Sequence, residues 1–283
     1  MRLLWGALIC VVLLAVGYIA LVGTAWGHQL DDKAFFGREA MSRRIIILDA
    51  RLLFQVTRAV VLLAGALLLL IAAVRRCFFV GVVAVVGFGS AIIGAEFLKD
   101  VLPWRALVPA DGLLGKGFQI DTYPSGHATV GTAFALGLLL VSPSRWRPWL
   151  AVLAGGISSV FATGVIFAGW HRPSDALGAL AWSGLCMNLA AAFAVRFKGQ
   201  PRVAIPDPKQ ALSGSIAMAI LVAAALWSVA TYVVSEFPRG YLSFFAFTTL
   251  IIAGAFSLTA WFGWQLREVD FFKAADRASP GSV

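Results

Sequence analysis

Eight apolar runs divide the chain, at about 3–26, 55–74, 78–98, 126–142, 149–169, 174–195, 212–234 and 241–264. As helices rising ~1.5 Å per residue, they match the ~30 Å hydrocarbon thickness of a bilayer. The shortest, 126–142, requires its end to sit at depth or the membrane to thin locally. Backbone polar groups in hydrocarbon must be satisfied within the spanning structure, so runs of this kind are read as transmembrane helices. Composition agrees: 60% of residues are hydrophobic and 13% charged. Soluble domains lie near ~45–50% and ~25%, and disorder needs low hydrophobicity, so both are excluded. The predicted fold class is all-α, a polytopic membrane protein with a six-helix core and two C-terminal transmembrane helices. Closely spaced small residues, such as Gly131, Ala133, Ala135 and Gly137, suit close helix packing in lipid.

The first run is read as a retained transmembrane helix. It is long for a signal-peptide core, and Gly23-Thr24-Ala25 is only a passable cleavage site. Residues 27–54 carry mixed charge and an amphipathic stretch, with Asp49, Arg51 and Arg58 nearby. That stretch is expected to lie on the membrane surface or to extend the second transmembrane helix outward. Residues 99–125 hold Lys99, Arg105, Asp111, Lys116 and Asp121 among prolines and glycines. The expected organisation is a six-helix core over 1–198, a basic linker over 199–211, a two-helix extension over 212–266 and a polar tail over 267–283.

The net charge is +9, from 17 Arg and 6 Lys against 14 acidic residues. These positives lie between apolar runs, which points to cytoplasmic loops and anionic headgroups rather than nucleic acid. With the N-terminus inside, 12 positives face the cytoplasm and 11 the other side, and every short inside loop is basic with little acid. Both termini are therefore expected to be cytoplasmic, in a plasma membrane. Cys10, Cys77 and Cys186 are scattered through or beside apolar runs and read as small core residues, neither a disulfide framework nor a metal site.

Two polar clusters stand at helix ends, Tyr123-Pro124-Ser125-Gly126-His127 and Gly169-Trp170-His171-Arg172-Pro173-Ser174-Asp175. Two crossings separate them, so His127 and His171 return to one side of the membrane, with Lys99 and Arg105. Ser125 reads as an N-cap, and the free N–H groups of the helix it opens form an anion site. Gly126 leaves room for a ligand to touch the backbone, and His127 is placed to protonate a leaving oxygen. Asp175, four residues after His171, can hold one imidazole nitrogen and leave the other free to attack. Lys99 and Arg105 can neutralise a phosphate gaining charge. The structural alternatives are a capped helix, an ordinary ion pair and snorkelling cations. Ionisable groups near membrane depth are costly, however, and the two clusters together favour function. Glu96, three residues before Lys99, is given a structural role as its partner, and Trp170 is read as an interface anchor. Asp111 and Asp121 are weak as metal ligands.

A lysine–arginine segment, Pro-Ser-Gly-His and His-x3-Asp in this order resemble the type 2 phosphatidic acid phosphatase superfamily, over residues 1–198. The resemblance implies that His171 is a nucleophile forming a phosphohistidine, oriented by Asp175, and that His127 protonates the leaving group. It further implies that Lys99, Arg105, Ser125 and the Gly126 backbone hold phosphate oxygens, with no metal and no cofactor. Two positions depart from the family pattern. Five residues rather than six separate Lys99 from Arg105, and Ala106 replaces the following proline. Gly164 and Val165 stand where the third motif usually has Ser-Arg. Arg172 is expected to reach the phosphate instead, with Lys116 as a weaker substitute.

The expected function is hydrolysis of a lipid phosphate or diphosphate, polyprenyl or glycerolipid, at the extracytoplasmic interface. A phosphotransferase using the same residues, or a degenerate non-catalytic or transport member, is the alternative. The expected partners are the lipid phosphate and membrane lipids; homo-oligomerisation is left open by the sequence.

Overall fold

The apolar runs form helices in the computed structural model, which describes residues 1–40, 43–102, 123–201 and 239–271. Helix α1 (Arg2–Gly17) continues through a π-helical turn, Tyr18–Gly23. The chain then bends at Thr24, whose side chain accepts from the Gly27 N–H and opens α2 (Ala25–Phe36). A 3-10 turn, Gly37–Ala40, leads towards α3 (Arg43–Phe54). There follow α4 (Arg58–Val74), α5 (Phe78–Val101), α6 (Gly126–Val141), α7 (Arg147–Phe167), α8 (Pro173–Lys198) and α9 (Arg239–Gln265). The run at 212–234 lies outside the described residues, as do Arg105, Asp111, Lys116, Asp121 and the tail beyond 271.

Among the described residues, five helices are long and apolar enough to cross a membrane: Arg2–Gly23, Phe78–Val101, Arg147–Phe167, Pro173–Lys198 and Tyr241–Gln265. Helices α4 and α6 are shorter, at 17 and 16 residues. The all-helical membrane architecture expected from the sequence is therefore borne out. Large apolar side chains stand exposed on the outer helix faces, Leu63 at 67% and Ile93 at 73%, as hydrocarbon permits and water does not. Helix α3 is separate from α4, broken at Gln55–Thr57. This favours the surface-lying form of the amphipathic stretch over an extension of the next helix.

Helix α8 runs through the centre, packed against α1, α5, α6, α7 and α9. The core is built from buried Leu68, Phe88, Leu136, Leu140, Met187 and Phe262. A second cluster lies beneath the polar motifs, where Leu53, Ala128, Val165, Ile166 and Ala176 meet Phe244, Ile251 and Ala255 of α9. Helix α9 thus packs into the same core as α1 and α4 to α8.

At the far end of the bundle, polar groups tie the loops together. Arg147 donates to the carbonyls of Leu266 and Val269 at 2.7 and 2.6 Å. Arg75 donates to the Val141 carbonyl and stands 3.7 Å from Asp270. Gln200 and Pro201 pair antiparallel with Asp270 and Val269 in a two-stranded ladder.

Candidate active site

A glycine sets the turn that presents His171. Helix α7 ends at Ala168, and Gly169 adopts φ +74°, the left-handed conformation that closes a helix without Cβ strain. A Cβ there would also lie 2.8 Å from Nε of Arg38, which reaches over from the 3-10 turn. The chain reverses through Trp170 and His171, whose N–H groups both donate to the Val165 carbonyl, at 3.0 and 3.1 Å. Pro173 then occupies the first turn of α8, where its missing N–H costs nothing.

His171 Nδ1 lies 3.1 Å from Asp175 Oδ2, with both residues buried. The same oxygen accepts the Arg172 backbone N–H at 3.1 Å. The backbone N–H thereby fixes the carboxylate, which favours the proton on Nδ1 of the ring and leaves the Nε2 lone pair available. The second motif is joined to this one directly, because the Ser125 N–H donates to the Asp175 carbonyl at 3.0 Å. Ser125 is fully buried and caps α6, accepting from the Ala128 N–H at 3.5 Å.

His127 and His171 line one cavity of about 780 Å³, together with Glu96, Lys99, Gly126 and Arg58. Its remaining wall is largely apolar, from Val61, Leu62, Ile92, Val130 and Trp170. Trp170 packs on His127 with ring centroids 5.2 Å apart, and Phe54 meets Trp170 edge-on at 4.8 Å. Lys99 Nζ is held by both Glu96 oxygens, at 2.9 and 3.1 Å.

Gly126 is a close approach rather than a special backbone conformation. A Cβ there would stand 2.6 Å from Glu96 Oε1 and 3.4 Å from Lys99 Nζ. Glu96 is exposed and flexible, so Gly126→Ala is expected to cost under about 1 kcal/mol of stability while displacing the Glu96–Lys99 pair. Phosphate-release kinetics should show KM raised by roughly tenfold, since small misplacements at a site cost much more than they do in a core.

Arg172 takes a different position from the expected one. Its Nε lies 2.8 Å from Asp32 Oδ1, on the side of α2, and it is absent from the cavity wall. Asp32 also lies 3.4 Å from His28 Nε2. The adjacent Asp31 accepts from the Ser174 N–H at 2.9 Å and from its hydroxyl at 2.5 Å. Two neighbouring carboxylates of α2 thus grip the start of α8 from behind the histidine.

Burial pushes the Asp31 carboxyl up to about 7, and the charge of Asp175 adds to the rise. The two Ser174 hydrogen bonds and Arg172 oppose it. A folded value above the unfolded ~3.9 means that the protonated acid favours the folded state. Its contribution is complete below about pH 4 and is lost as pH rises through about 7. The unfolding midpoint of detergent-solubilised protein is expected to fall across that window, and Asp31→Asn to flatten the fall.

The sequence-expected His127, His171, Lys99 and Gly126 come together on the cavity, with Asp175 behind His171. Arg105 lies outside the described residues. Arg58, Trp170, Asp31 and Asp32 were not singled out as site residues. Only the doublet of acids in a chain poor in acids hinted at the last two.

Fold and site together define a polytopic membrane protein with a histidine-bearing cavity at one end of its helix bundle. Residues 104–199 match the family model of the PAP2 superfamily. The fold is similar to that of a transmembrane PAP2-type phosphatidylglycerolphosphate phosphatase from Bacillus subtilis, with a TM-score of 0.51 and 18% identity. That likeness covers 72% of this chain and 99% of the other. No curated protein matches the chain. The resemblance carried by the histidine motifs is thus borne out.

Proposed function

We propose that the protein is a phosphatase that removes a phosphate from a lipid phosphate or diphosphate entering from the bilayer. The carrying observation is that a carboxylate-held His171, His127 and Lys99 line one cavity with Glu96 and Arg58, its remaining wall being largely apolar.

Nε2 of His171 attacks phosphorus, a P–N bond forms, and the P–O bond to the leaving group breaks. His127 gives that oxygen its proton. The Asp175 carboxylate stabilises the charge gained by the His171 ring. Lys99, Arg105 and the Gly126 N–H hold the phosphoryl oxygens, where fixed donors act most strongly on charge that develops in the transition state. Water, deprotonated by His127, then attacks phosphorus and releases phosphate from His171. Ser125 acts through the cap it provides, and Arg172 through its hold on Asp175.

The reading assigns catalysis to residues 1–198 and places the site on the extracytoplasmic face, with both termini in the cytoplasm. The basic inside loops support that orientation. The apolar wall supports a substrate with a hydrocarbon tail, polyprenyl or glycerolipid.

A phosphate-release panel on purified protein tests the proposal. It spans polyprenyl, glycerolipid and soluble phosphates, with EDTA present and His171→Ala as control. Release of inorganic phosphate that depends on His171 supports a hydrolase. Transfer of the phosphoryl group to an added lipid or sugar alcohol, with little free phosphate, replaces it with a transferase. Absence of both overturns the enzymatic reading.

A further inference from the structure

We infer that Arg58, at the start of α4, is a phosphate-holding cation of this site and fills the role of the arginine that the third motif lacks. The inference rests on the phosphatase reading and deepens it, naming a residue of a helix outside the motif-bearing segments.

The third motif cannot supply the charge. Val165 is fully buried in an apolar cluster with Leu53, Ile166 and Ala176. A guanidinium there would lose its hydration with only hydrocarbon around it. Arg172 is engaged with Asp32 at 2.8 Å, on the α2 side. Lys99 is on the cavity wall, but its charge is met by Glu96 on the same wall. Arg58 aside, those two side chains leave the cavity wall close to neutral among the described residues, which is poorly matched to a phosphate dianion.

Arg58 changes that balance. It lines the same cavity as His127, His171 and Lys99. It is exposed, and among the described residues it has no ion-pair partner. Its backbone opens α4 behind Thr57, which is extended and makes no side-chain cap bond, so the first-turn N–H groups face the same end of the bundle. A planar guanidinium can give two parallel hydrogen bonds to phosphate, which an ammonium cannot.

Placement along α4 also fits the ligand class. Val61 and Leu62 follow Arg58 by three and four residues and line the cavity too. Residues at that spacing share a helix face. One helix therefore offers a cation at the rim and an apolar surface one turn away, the order in which a lipid phosphate presents its headgroup and chain. Soluble phosphates would use only the first.

The test compares wild type, Arg58→Ala, Arg58→Lys and Arg51→Ala, all full-length in detergent. Arg51 is an exposed arginine of α3 that does not line the cavity. Kinetics are read with dioleoyl phosphatidic acid, and orthovanadate inhibition reports on binding of a pentacoordinate phosphoryl mimic. Arg58→Ala is expected to lower kcat/KM by about 10²-fold and to weaken orthovanadate by a similar factor. Arg58→Lys should recover part of both, and Arg51→Ala should stay within about twofold of wild type.

Wild-type kcat/KM and orthovanadate affinity in Arg58→Ala overturn the inference. So does a loss of activity with orthovanadate affinity intact, which marks a structural role. If wild type releases no phosphate from any substrate, the phosphatase reading fails by itself. Calorimetric titration of inorganic phosphate into wild type and Arg58→Ala then decides the cation's role, and equal affinities overturn it.

Discussion

Replacement of His171 by alanine is expected to lower phosphate release by at least about 10³-fold, because the ring is the attacking group. Asp175→Asn should leave the geometry largely in place and still cost about 10²- to 10⁴-fold, since an amide can hold the wrong tautomer and cannot stabilise a charged ring. The two effects should not add, because the residues act as one unit. Acid-labile, alkali-stable phosphate trapped on wild type and absent from His171→Ala would identify the covalent intermediate. Retention of turnover in His171→Ala would remove the whole mechanism.

The second large effect concerns stability. Asp32→Ala takes from buried Arg172 the carboxylate that stands 2.8 Å away. Removing one member of a buried ion pair costs about 3–5 kcal/mol, because the remaining charge keeps its desolvation penalty. Denaturant or thermal unfolding in detergent should show that loss. The double variant Asp32→Leu with Arg172→Met should recover most of it, as apolar replacements of buried pairs often do. Activity should fall with Asp32→Ala as well, since the Arg172 N–H helps to hold Asp175. A phosphate contact by Arg172 would raise KM in Arg172→Ala well beyond its rise in Asp32→Ala. Equal KM values in the two variants would confine Arg172 to positioning.

Much of the architecture was legible because hydrocarbon tolerates so few patterns. The apolar run at 78–98 became Phe78–Val101, and the run at 174–195 became Pro173–Lys198. Pro124-Ser125 and Pro173 announced their helix starts through local backbone rules that no tertiary contact needed to reinforce. Counting crossings was enough to put His127 and His171 at one end of the bundle. The clamp by Asp31 and Asp32 was not legible. Its partners lie about 140 positions away, and short polar helices such as α2 carry no strong period. Arg58 was obscured for a related reason. It reads as one more charge beside an amphipathic stretch until the break at Gln55–Thr57 separates α3 from α4 and turns it towards the cavity. Trp170 shows the limit of composition: a tryptophan at a helix end suits an interface, yet this one packs on His127.

The pairing of Gln200–Pro201 with Val269–Asp270 has a consequence for how the molecule is put together. The ladder brings residues 200–201 and 269–270 together, so the end of α8 and the end of α9 are joined at one spot. What looks like an appendage along the chain returns α9 as a wall of the shared interior, with Phe244 and Ile251 seated under the third motif. A six-helix piece ending near residue 198 would therefore stand with one flank of its own core open to lipid.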